Sequence, residues 1–215
     1  MITVIDYGAG NIQSVLRACA EVGGEVVRTG DPAVVARAAK IIFPGVGAAP
    51  SAMAYMRDLG LDTALKNAVR GGVPVLGICL GAQIVLDRSE EGDTPCLGLV
   101  PGATVRFRPP DASCKIPHIG WNDVRVTRPH PLLDALKPGD EFYFVHSYYP
   151  RPASDKDVYA VSDHGEEFCA ALGRDNLFAT QFHPEKSGKL GLELLARFQN
   201  WDGTVRQKVK VKSTR

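Results

Sequence analysis

A cysteine lies between two glycines in the segment Gly77-Ile78-Cys79-Leu80-Gly81, directly after the apolar run from Val73 to Leu76. This pattern predicts a nucleophile elbow, a sharp strand-to-helix turn that lifts the cysteine side chain out of the sheet. Glycines on both sides remove Cβ atoms that would clash in so tight a turn. The helix that follows points its N-terminus at the sulfur, which favours the thiolate, the nucleophilic form of cysteine.

A base and a carboxylate follow near the end of the chain, in Phe182-His183-Pro184-Glu185. Proline keeps the residue before it extended, and residues two apart in extended chain face the same side. We therefore expect Glu185 to bond one ring nitrogen of His183 while the other nitrogen addresses the sulfur of Cys79. A nucleophile, a base and an orienting group in this order predict cysteine-dependent acyl transfer.

The remaining cysteines and histidines have more ordinary interpretations. Free cysteines usually behave as small buried apolar residues, which is the expectation for Cys19, Cys96, Cys114 and Cys169. The other histidines lie between prolines, in a turn or in mixed polar and aromatic segments. No catalytic role is assigned to His118, His130, His146 or His164.

A second glycine-containing turn, Pro44-Gly45-Val46-Gly47, ends the apolar strand predicted at Ile41 to Phe43. Its glycines allow backbone N–H groups to point at a developing oxyanion, together with the N–H of Leu80. The same residues also suit an ordinary strand-to-helix turn. The pattern alone leaves both interpretations open.

Composition limits the setting in which this chemistry takes place. Lys and Arg total 25 and Asp and Glu total 24, so net charge does not favour nucleic acid or an anionic membrane. Five scattered cysteines without a C-x-x-C pair argue against a disulfide framework and a zinc site, and we expect no metal or other cofactor. The chain start lacks a basic signal region, and no apolar stretch reaches the roughly 18 residues of a membrane helix. We therefore expect a cytoplasmic protein.

Strand and helix signals alternate over the first hundred residues. Fully apolar strands in such an order predict an α/β fold, with an open, mostly parallel twisted sheet and helices on both faces, as in flavodoxin-like proteins. Short strand signals without long helices then predict an antiparallel or mixed extension. The predicted strands are 2–5, 25–29, 41–43, 73–76, 104–107, 124–127, 141–145, 158–162, 168–172 and 177–182.

Helical patterns are predicted from Ile12, from Pro32 and over 51–70, where Gly60 breaks the pattern, and a last amphipathic helix is predicted over 189–201. No linker or internal repeat divides the chain. We therefore expect one domain over residues 1–201. The basic residues that follow predict a frayed, flexible C-terminal tail over 202–215.

The motifs around Cys79 and His183 resemble those of class I, or triad-type, glutamine amidotransferases, and the resemblance covers nearly all of residues 1–201. A narrower resemblance is to the glutaminase subunits of imidazole glycerol phosphate synthase. The segments that carry it are Asp6-Tyr7-Gly8-Ala9-Gly10-Asn11, Pro44-Gly45-Val46-Gly47, His118-Ile119-Gly120-Trp121-Asn122, Val145-His146-Ser147-Tyr148-Tyr149 and His183-Pro184-Glu185-Lys186-Ser187.

This resemblance implies a two-step hydrolysis of L-glutamine. Cys79 attacks the side-chain amide, His183 moves protons to the leaving ammonia, and water releases glutamate from a γ-glutamyl thioester. The oxyanion is expected at the backbone of Gly45, Val46, Gly47 and Leu80. The residues that match the family's glutamine site are Gly47, Gln83, Glu91, Ser147 and Tyr148.

The resemblance also implies a partner. In the narrower family the ammonia passes to a (β/α)₈-barrel cyclase subunit of a heterodimer. That subunit forms imidazole glycerol phosphate and aminoimidazole carboxamide ribotide in histidine biosynthesis. The residues that match its partner-facing surface are Asn11, Trp121, Tyr143 and Lys186.

Two other interpretations remain open at this point. The same elbow serves cysteine peptidases and stand-alone amidohydrolases, which work without a partner. A binding subunit that has kept the fold without catalysis is the third possibility.

Overall fold

The computed structural model describes residues 1–8, 12–110 and 114–205 of the 215-residue chain. Within these ranges the strands are β1 Ile2–Ile5, β2 Val26–Thr29, β3 Ile41–Gly45, β4 Val75–Cys79, β5 Arg88–Ser89, β6 Thr94–Pro95, β7 Gly102–Arg106, β8 His118–Asp123, β9 Arg125–Val126, β10 Glu141–His146, β11 Tyr148–Pro152, β12 Val158–Asp163, β13 Glu167–Arg174 and β14 Leu177–Thr180. The α-helices are α1 Ile12–Glu21, α2 Pro32–Val35, α3 Ala49–Asp58, α4 Leu61–Arg70, α5 Leu80–Ile84 and α6 Gly188–Asn200.

An eight-stranded sheet forms the centre of the fold, in the order β2-β1-β3-β4-β14-β13-β12-β9. The first five strands of that order pair in parallel and the last three are antiparallel additions. A second sheet has the order β11-β7-β5-β6, and β8 pairs with β10 as a separate two-stranded ribbon. The prediction of a mostly parallel sheet with an antiparallel extension is confirmed.

Successive strand residues contribute to two hydrophobic cores on opposite faces of the sheet. Val4 and Ile42 pack in the core that includes α1 and α6, whereas Ile5 and Phe43 pack in the core that includes α3, α4 and α5. Strands buried on both faces are apolar at every position rather than at alternate positions. The predicted placement of helices on both faces is confirmed.

Local signals account for several element boundaries. Asp31 accepts a hydrogen bond from the backbone N–H of Ala33 at 2.8 Å and begins α2, with Pro32 at the first helical position. Gly60 separates α3 from α4 with a left-handed φ of 69°, so the predicted break in this helical stretch is confirmed. No helix in the described part of the chain is long and apolar enough to cross a membrane.

Several strand predictions were wrong. The strand before the elbow covers Val75–Cys79 rather than residues 73–76. The strand predicted over 124–127 consists only of Arg125–Val126. Strand β8 was missed because Gly120, at a φ of 135°, interrupts the apolar pattern. Strand β11 was missed because it contains two prolines, which an edge strand tolerates since it leaves backbone N–H groups unpaired. Residues 206–215 of the predicted tail lie outside the described residues.

The two glycines of the elbow lie where neighbouring atoms leave no room for a side chain. A Cβ on Gly81 would lie 2.1 Å from the carbonyl oxygen of Phe43, and a Cβ on Gly77 would lie 2.9 Å from the Cβ of Ala179. Helix α5 therefore begins in direct contact with the backbone of β3. This close approach brings the turn after β3 next to the cysteine.

Replacing Gly81 by alanine should destabilise the fold by about 1–3 kcal/mol, because the added methyl group must displace the backbone of β3. Gly71→Ala is the matched control, since Gly71 ends α4 at a φ of −76° that alanine adopts without strain. Its effect should stay below about 1 kcal/mol in either direction. Chemical denaturation of both variants measures the difference, and equal stabilities would contradict the close approach.

Candidate active site

Cys79 is the last residue of β4 and immediately precedes α5. Its φ of 55° and ψ of −107° lie in a region that non-glycine residues rarely adopt. Such strain costs about 1–3 kcal/mol and persists only where the surrounding structure holds it. The side chain is buried, with 6% of its surface exposed. These features are those of the predicted nucleophile elbow.

His183 and Glu185 form a buried pair beside the elbow. The Nδ1 atom of His183 lies 2.7 Å from Oε1 of Glu185, and the two side chains are 2% and 3% exposed. The predicted pairing is present, but the expected extended geometry is not. His183 is extended, whereas Pro184–Lys186 form a 3-10 turn that brings the carboxylate back to the ring. Proline at the start of such a turn sacrifices no backbone hydrogen bond.

The environment of His183 favours its protonated form. Burial opposes the charge, but electrostatic attraction to Cys79 and then the hydrogen bond and attraction to Glu185 outweigh it, so the pKa of His183 is raised to about 10. The second ring nitrogen, Nε2, is buried without a conventional hydrogen-bond partner among the described residues. The protonated ring, which this environment favours, is the form that donates a proton to a leaving amine.

A cavity of about 410 Å³ opens beside Cys79, within the usual size range for small-ligand sites. Cavities of about 490 and 500 Å³ lie elsewhere on the described surface, and neither includes Cys79 or His183. Proximity to the nucleophile, rather than volume, therefore marks the candidate site. Its lining residues are Val46, Gly47, Cys79, Leu80, Gln83, Glu91, Pro117, Val145, His146, Ser147 and Tyr148.

The cavity contains nearly all of the residues predicted for substrate and oxyanion binding. Gly45 is the exception, because it lines a separate small void with Pro44 and His183. Gly45 nevertheless pairs with Cys79 in the parallel register of β3 and β4. Gly47 has a left-handed φ of 104°, which glycine adopts at little cost. The turn after β3 is therefore adjacent to the nucleophile, as an oxyanion loop requires.

Two polar side chains of the cavity wall are already partly engaged. The Oε2 atom of Glu91 accepts from the backbone N–H of Ala49 at 2.7 Å, which caps a helix that has no other side-chain cap. The amide nitrogen of Gln83 donates to the carbonyl of Tyr148 at 2.8 Å and to Oε1 of Gln181 at 3.0 Å. The groups that remain for a ligand are Oε1 of Glu91 and the side-chain carbonyl of Gln83.

The residues predicted to face a partner lie on the ribbon of β8 and β10 and beside it. Trp121 is 54% exposed, and its ring packs edge-on against Tyr143 with centroids 6.2 Å apart. The Nζ atom of Lys186 lies 5.6 Å from the centre of the Tyr143 ring. Asn11, the fourth predicted residue, lies outside the described residues.

Sequence reasoning missed three residues that contact the site. The amide of Gln181 donates to the sulfur of Cys79 at 3.6 Å, and His146 lines the cavity. The hydroxyl of Tyr7 is buried and has no hydrogen-bond partner among the described residues, and a Cβ on Gly45 would lie 2.1 Å from it. A signal existed only for Gln181, which is the one amide in the apolar run that leads to His183.

Comparisons with known proteins show the family to which the chain belongs. The sequence model of the family described as glutamine amidotransferase class-I matches residues 3–200. A glutamine amidotransferase of known crystal structure shares the fold with a TM-score of 0.72 and 17% identity, covering 94% of this chain and 100% of its own. The chain belongs to the class I glutamine amidotransferase family, which favours the glutaminase over the peptidase interpretation.

Full-length relatives narrow the family further. The imidazole glycerol phosphate synthase subunit HisH of Aromatoleum aromaticum is 46% identical over 93% of this chain and 98% of its own. The protein of the same name in Desulfovibrio desulfuricans is 47% identical over 98% of this chain and 99% of its own. Within its family the chain thus groups with the HisH subunits of imidazole glycerol phosphate synthase.

The raised pKa of His183 predicts a specific pH dependence of stability. The folded-state pKa of about 10 lies above the ordinary 6.5, so the stabilisation is fully present below pH 6.5 and is lost as pH rises through 10. Cys79→Ala removes the largest of the interactions that raise the pKa of His183. We expect the melting temperature of this variant to fall less than that of the wild type between pH 6.5 and pH 10.

The matched control is Val35→Ala, which removes buried apolar atoms from the other core and no titratable group. It should retain the wild-type pH dependence even if its melting temperature is lower throughout. Thermal unfolding by circular dichroism at both pH values gives the comparison. Parallel curves for the wild type and Cys79→Ala would show that the sulfur does not hold the charge on His183.

Proposed function

We propose that Cys79, His183 and Glu185 hydrolyse L-glutamine in the 410 Å³ cavity, and that the ammonia passes to a (β/α)₈-barrel cyclase subunit of imidazole glycerol phosphate synthase. The observation that carries the proposal is the strained Cys79 next to the buried His183–Glu185 pair, in the wall of a cavity of small-ligand size. The setting is a cytoplasmic heterodimer.

In the first step the sulfur of Cys79 attacks the side-chain carbonyl carbon of glutamine. The oxyanion that forms is stabilised by the backbone N–H of Leu80 at the start of α5 and by the glycine-containing turn of residues 44–47. The proton on Nε2 of His183 passes to the amide nitrogen, and ammonia leaves. Glu185 keeps the ring oriented through Nδ1 and stabilises its charge.

In the second step water replaces ammonia. His183, now neutral, accepts a proton from the water, which attacks the thioester carbon, and the bond to sulfur breaks to release glutamate. The cavity wall supplies recognition of the amino-acid end of glutamine. The free oxygen of Glu91 suits the α-ammonium group, and the hydroxyl of Ser147 and the backbone N–H of Tyr148 suit the α-carboxylate.

The ribbon of β8 and β10 supports the partner proposal. One face of this ribbon carries exposed apolar side chains, with Ile119 61% exposed and Trp121 54% exposed. Aromatic residues in exposed clusters are typical of the centres of protein interfaces. Lys186 directly follows Glu185 of the triad in the chain. Its contact with the ring of Tyr143 links this surface to the triad. A partner seated here covers the region next to the site where ammonia forms.

Replacing Cys79 by alanine should abolish glutamine-dependent synthesis by the complex, because no other nucleophile is present at the elbow. Synthesis with added ammonium salt should remain within about twofold of the wild type, since the partner carries out that reaction. The measurement is formation of imidazole glycerol phosphate with each nitrogen source. Cys169→Ala controls for the loss of a buried thiol and should retain both activities.

Loss of both activities in Cys79→Ala would assign the residue a folding role instead. Retention of glutamine-dependent synthesis would exclude Cys79 as the nucleophile. Peptide hydrolysis or full glutaminase turnover by the isolated chain would contradict the partner-dependent function.

A further inference from the structure

Two buried histidines outside the triad lie at one end of the ribbon, His118 at the start of β8 and His146 at the end of β10, beside the cavity. The Nδ1 atom of His118 is 3.2 Å from Nε2 of His146, and Nδ1 of His146 is 2.9 Å from the carbonyl oxygen of Tyr148. At the outer end, the amide nitrogen of Asn122 lies 3.3 Å from Nε2 of His118. We call these four residues, Asn122, His118, His146 and Tyr148, the histidine chain.

The partners in the histidine chain determine where each proton lies. The carbonyl of Tyr148 only accepts, so Nδ1 of His146 carries the hydrogen and its Nε2 is an acceptor. Nδ1 of His118 must then be the donor to His146, which leaves Nε2 of His118 to accept from the amide of Asn122. The second amide hydrogen of Asn122 goes to the carbonyl of Asp163 at 2.7 Å. The three bonds within the histidine chain therefore run in one direction, from Asn122 towards the cavity.

The surroundings keep both rings neutral, as this arrangement requires. His118 and His146 are 4% and 6% exposed, and they lie among aromatic rings that include Phe107 and Phe144. Burial lowers the pKa of His118 to about 4, with a smaller contribution from His164 stacked on it. Burial lowers the pKa of His146 to about 3, against the opposing hydrogen bond to Tyr148.

The inner end of the histidine chain continues to the nucleophile. The carbonyl of Tyr148 accepts from His146 and also from the amide of Gln83, so two donors fix its position. That amide donates its other hydrogen to Gln181, whose own amide donates to the sulfur of Cys79. Tyr148 and Gln83 both line the cavity.

We propose that His118 and His146 are positioning residues for the glutamine site. They hold the Tyr148 carbonyl and the Gln83 side chain in place and anchor them to strand β8, whose exposed face carries Trp121. The proposal rests on the proposed function, because glutamine is the ligand whose binding they support. Neither histidine exchanges a proton with the substrate.

A positioning role predicts a change in KM rather than in kcat. His146→Leu keeps the volume of the side chain but removes the donor to Tyr148, and we expect the KM for glutamine to rise about tenfold with kcat within about twofold. His146→Asn places an amide donor near the position of Nδ1 and should restore the KM to within about threefold of the wild type. Asn122→Ala, at the far end, should raise the KM about threefold. The assay is glutaminase turnover of the complex with its cyclase subunit.

His130→Leu is the matched control. His130 is 2% exposed and stacks on Phe178 with centroids 4.1 Å apart, outside the cavity and the histidine chain. Its replacement should lower the melting temperature and leave the KM for glutamine unchanged. An unchanged KM in His146→Leu would overturn the proposal. A KM increase in His130→Leu as large as that in His146→Leu would also overturn it, since loss of stability alone would then explain both.

Nitrogen-15 NMR of the imidazole rings tests the arrangement of protons without an activity measurement. At pH 7 both His118 and His146 should be neutral with the hydrogen on Nδ1, and the signal of His118 should shift in Asn122→Ala. A charged ring or a hydrogen on Nε2 of either residue would contradict the histidine chain. If the wild-type complex shows the expected tautomers but does not hydrolyse glutamine, the proposed function fails and the histidine chain stands.

Discussion

Strand β4 lies between β3 and β14 in parallel register, and the geometry of the site depends on this pairing. Cys79 at the end of β4 is paired with Gly45 on one side, and Ile78 is paired with Thr180 of β14 on the other. The carboxyl ends of three neighbouring strands thus bring together the oxyanion turn, the nucleophile and the segment that leads to His183. Ligands of open α/β sheets bind at this edge of the sheet.

The same pairing holds a strained residue in place. Cys79 adopts an unfavourable backbone conformation, and the contact of Gly81 with the carbonyl of Phe43 prevents α5 from moving away to relieve it. The buried carboxyl group of Glu185 also supports the protonated ring of His183, since an unpaired imidazolium in this position would be costly. Strain and buried charge are both concentrated within a few residues, and the two hydrophobic cores on either side of the sheet supply the stability that offsets them.

The sheet and its helices were largely predictable because their signals are local. Apolar runs such as Ile2–Ile5, the cap at Asp31 and the break at Gly60 each depend on a few adjacent residues. The elbow glycines were predicted from their positions around Cys79, although the contacts that exclude a side chain there are with Phe43 and Ala179, which are distant in the chain. The strands around Gly120 and Pro150 were not, because their pairing is set by partners distant in the chain.

Within the site, the triad and most of the cavity lining followed from motifs, but the supporting contacts did not. No local pattern places the hydroxyl of Tyr7 beneath Gly45 or connects His118 to His146. Such contacts join residues from different elements, and the side chains involved also have common roles in ordinary cores. Glu185 was predicted as the partner of His183 for a partly wrong reason, because a 3-10 turn rather than extended chain brings it to the ring.

The central claim is that Cys79 is a nucleophile specific for glutamine, and covalent labelling tests it most directly. The complex is incubated with a glutamine-mimicking electrophile, with and without excess glutamine, and the chain is mapped by mass spectrometry. The account predicts a single adduct, on Cys79, that glutamine suppresses and that Cys79→Ala lacks. No adduct, or labelling of Cys96 or Cys114 in its place, would contradict it.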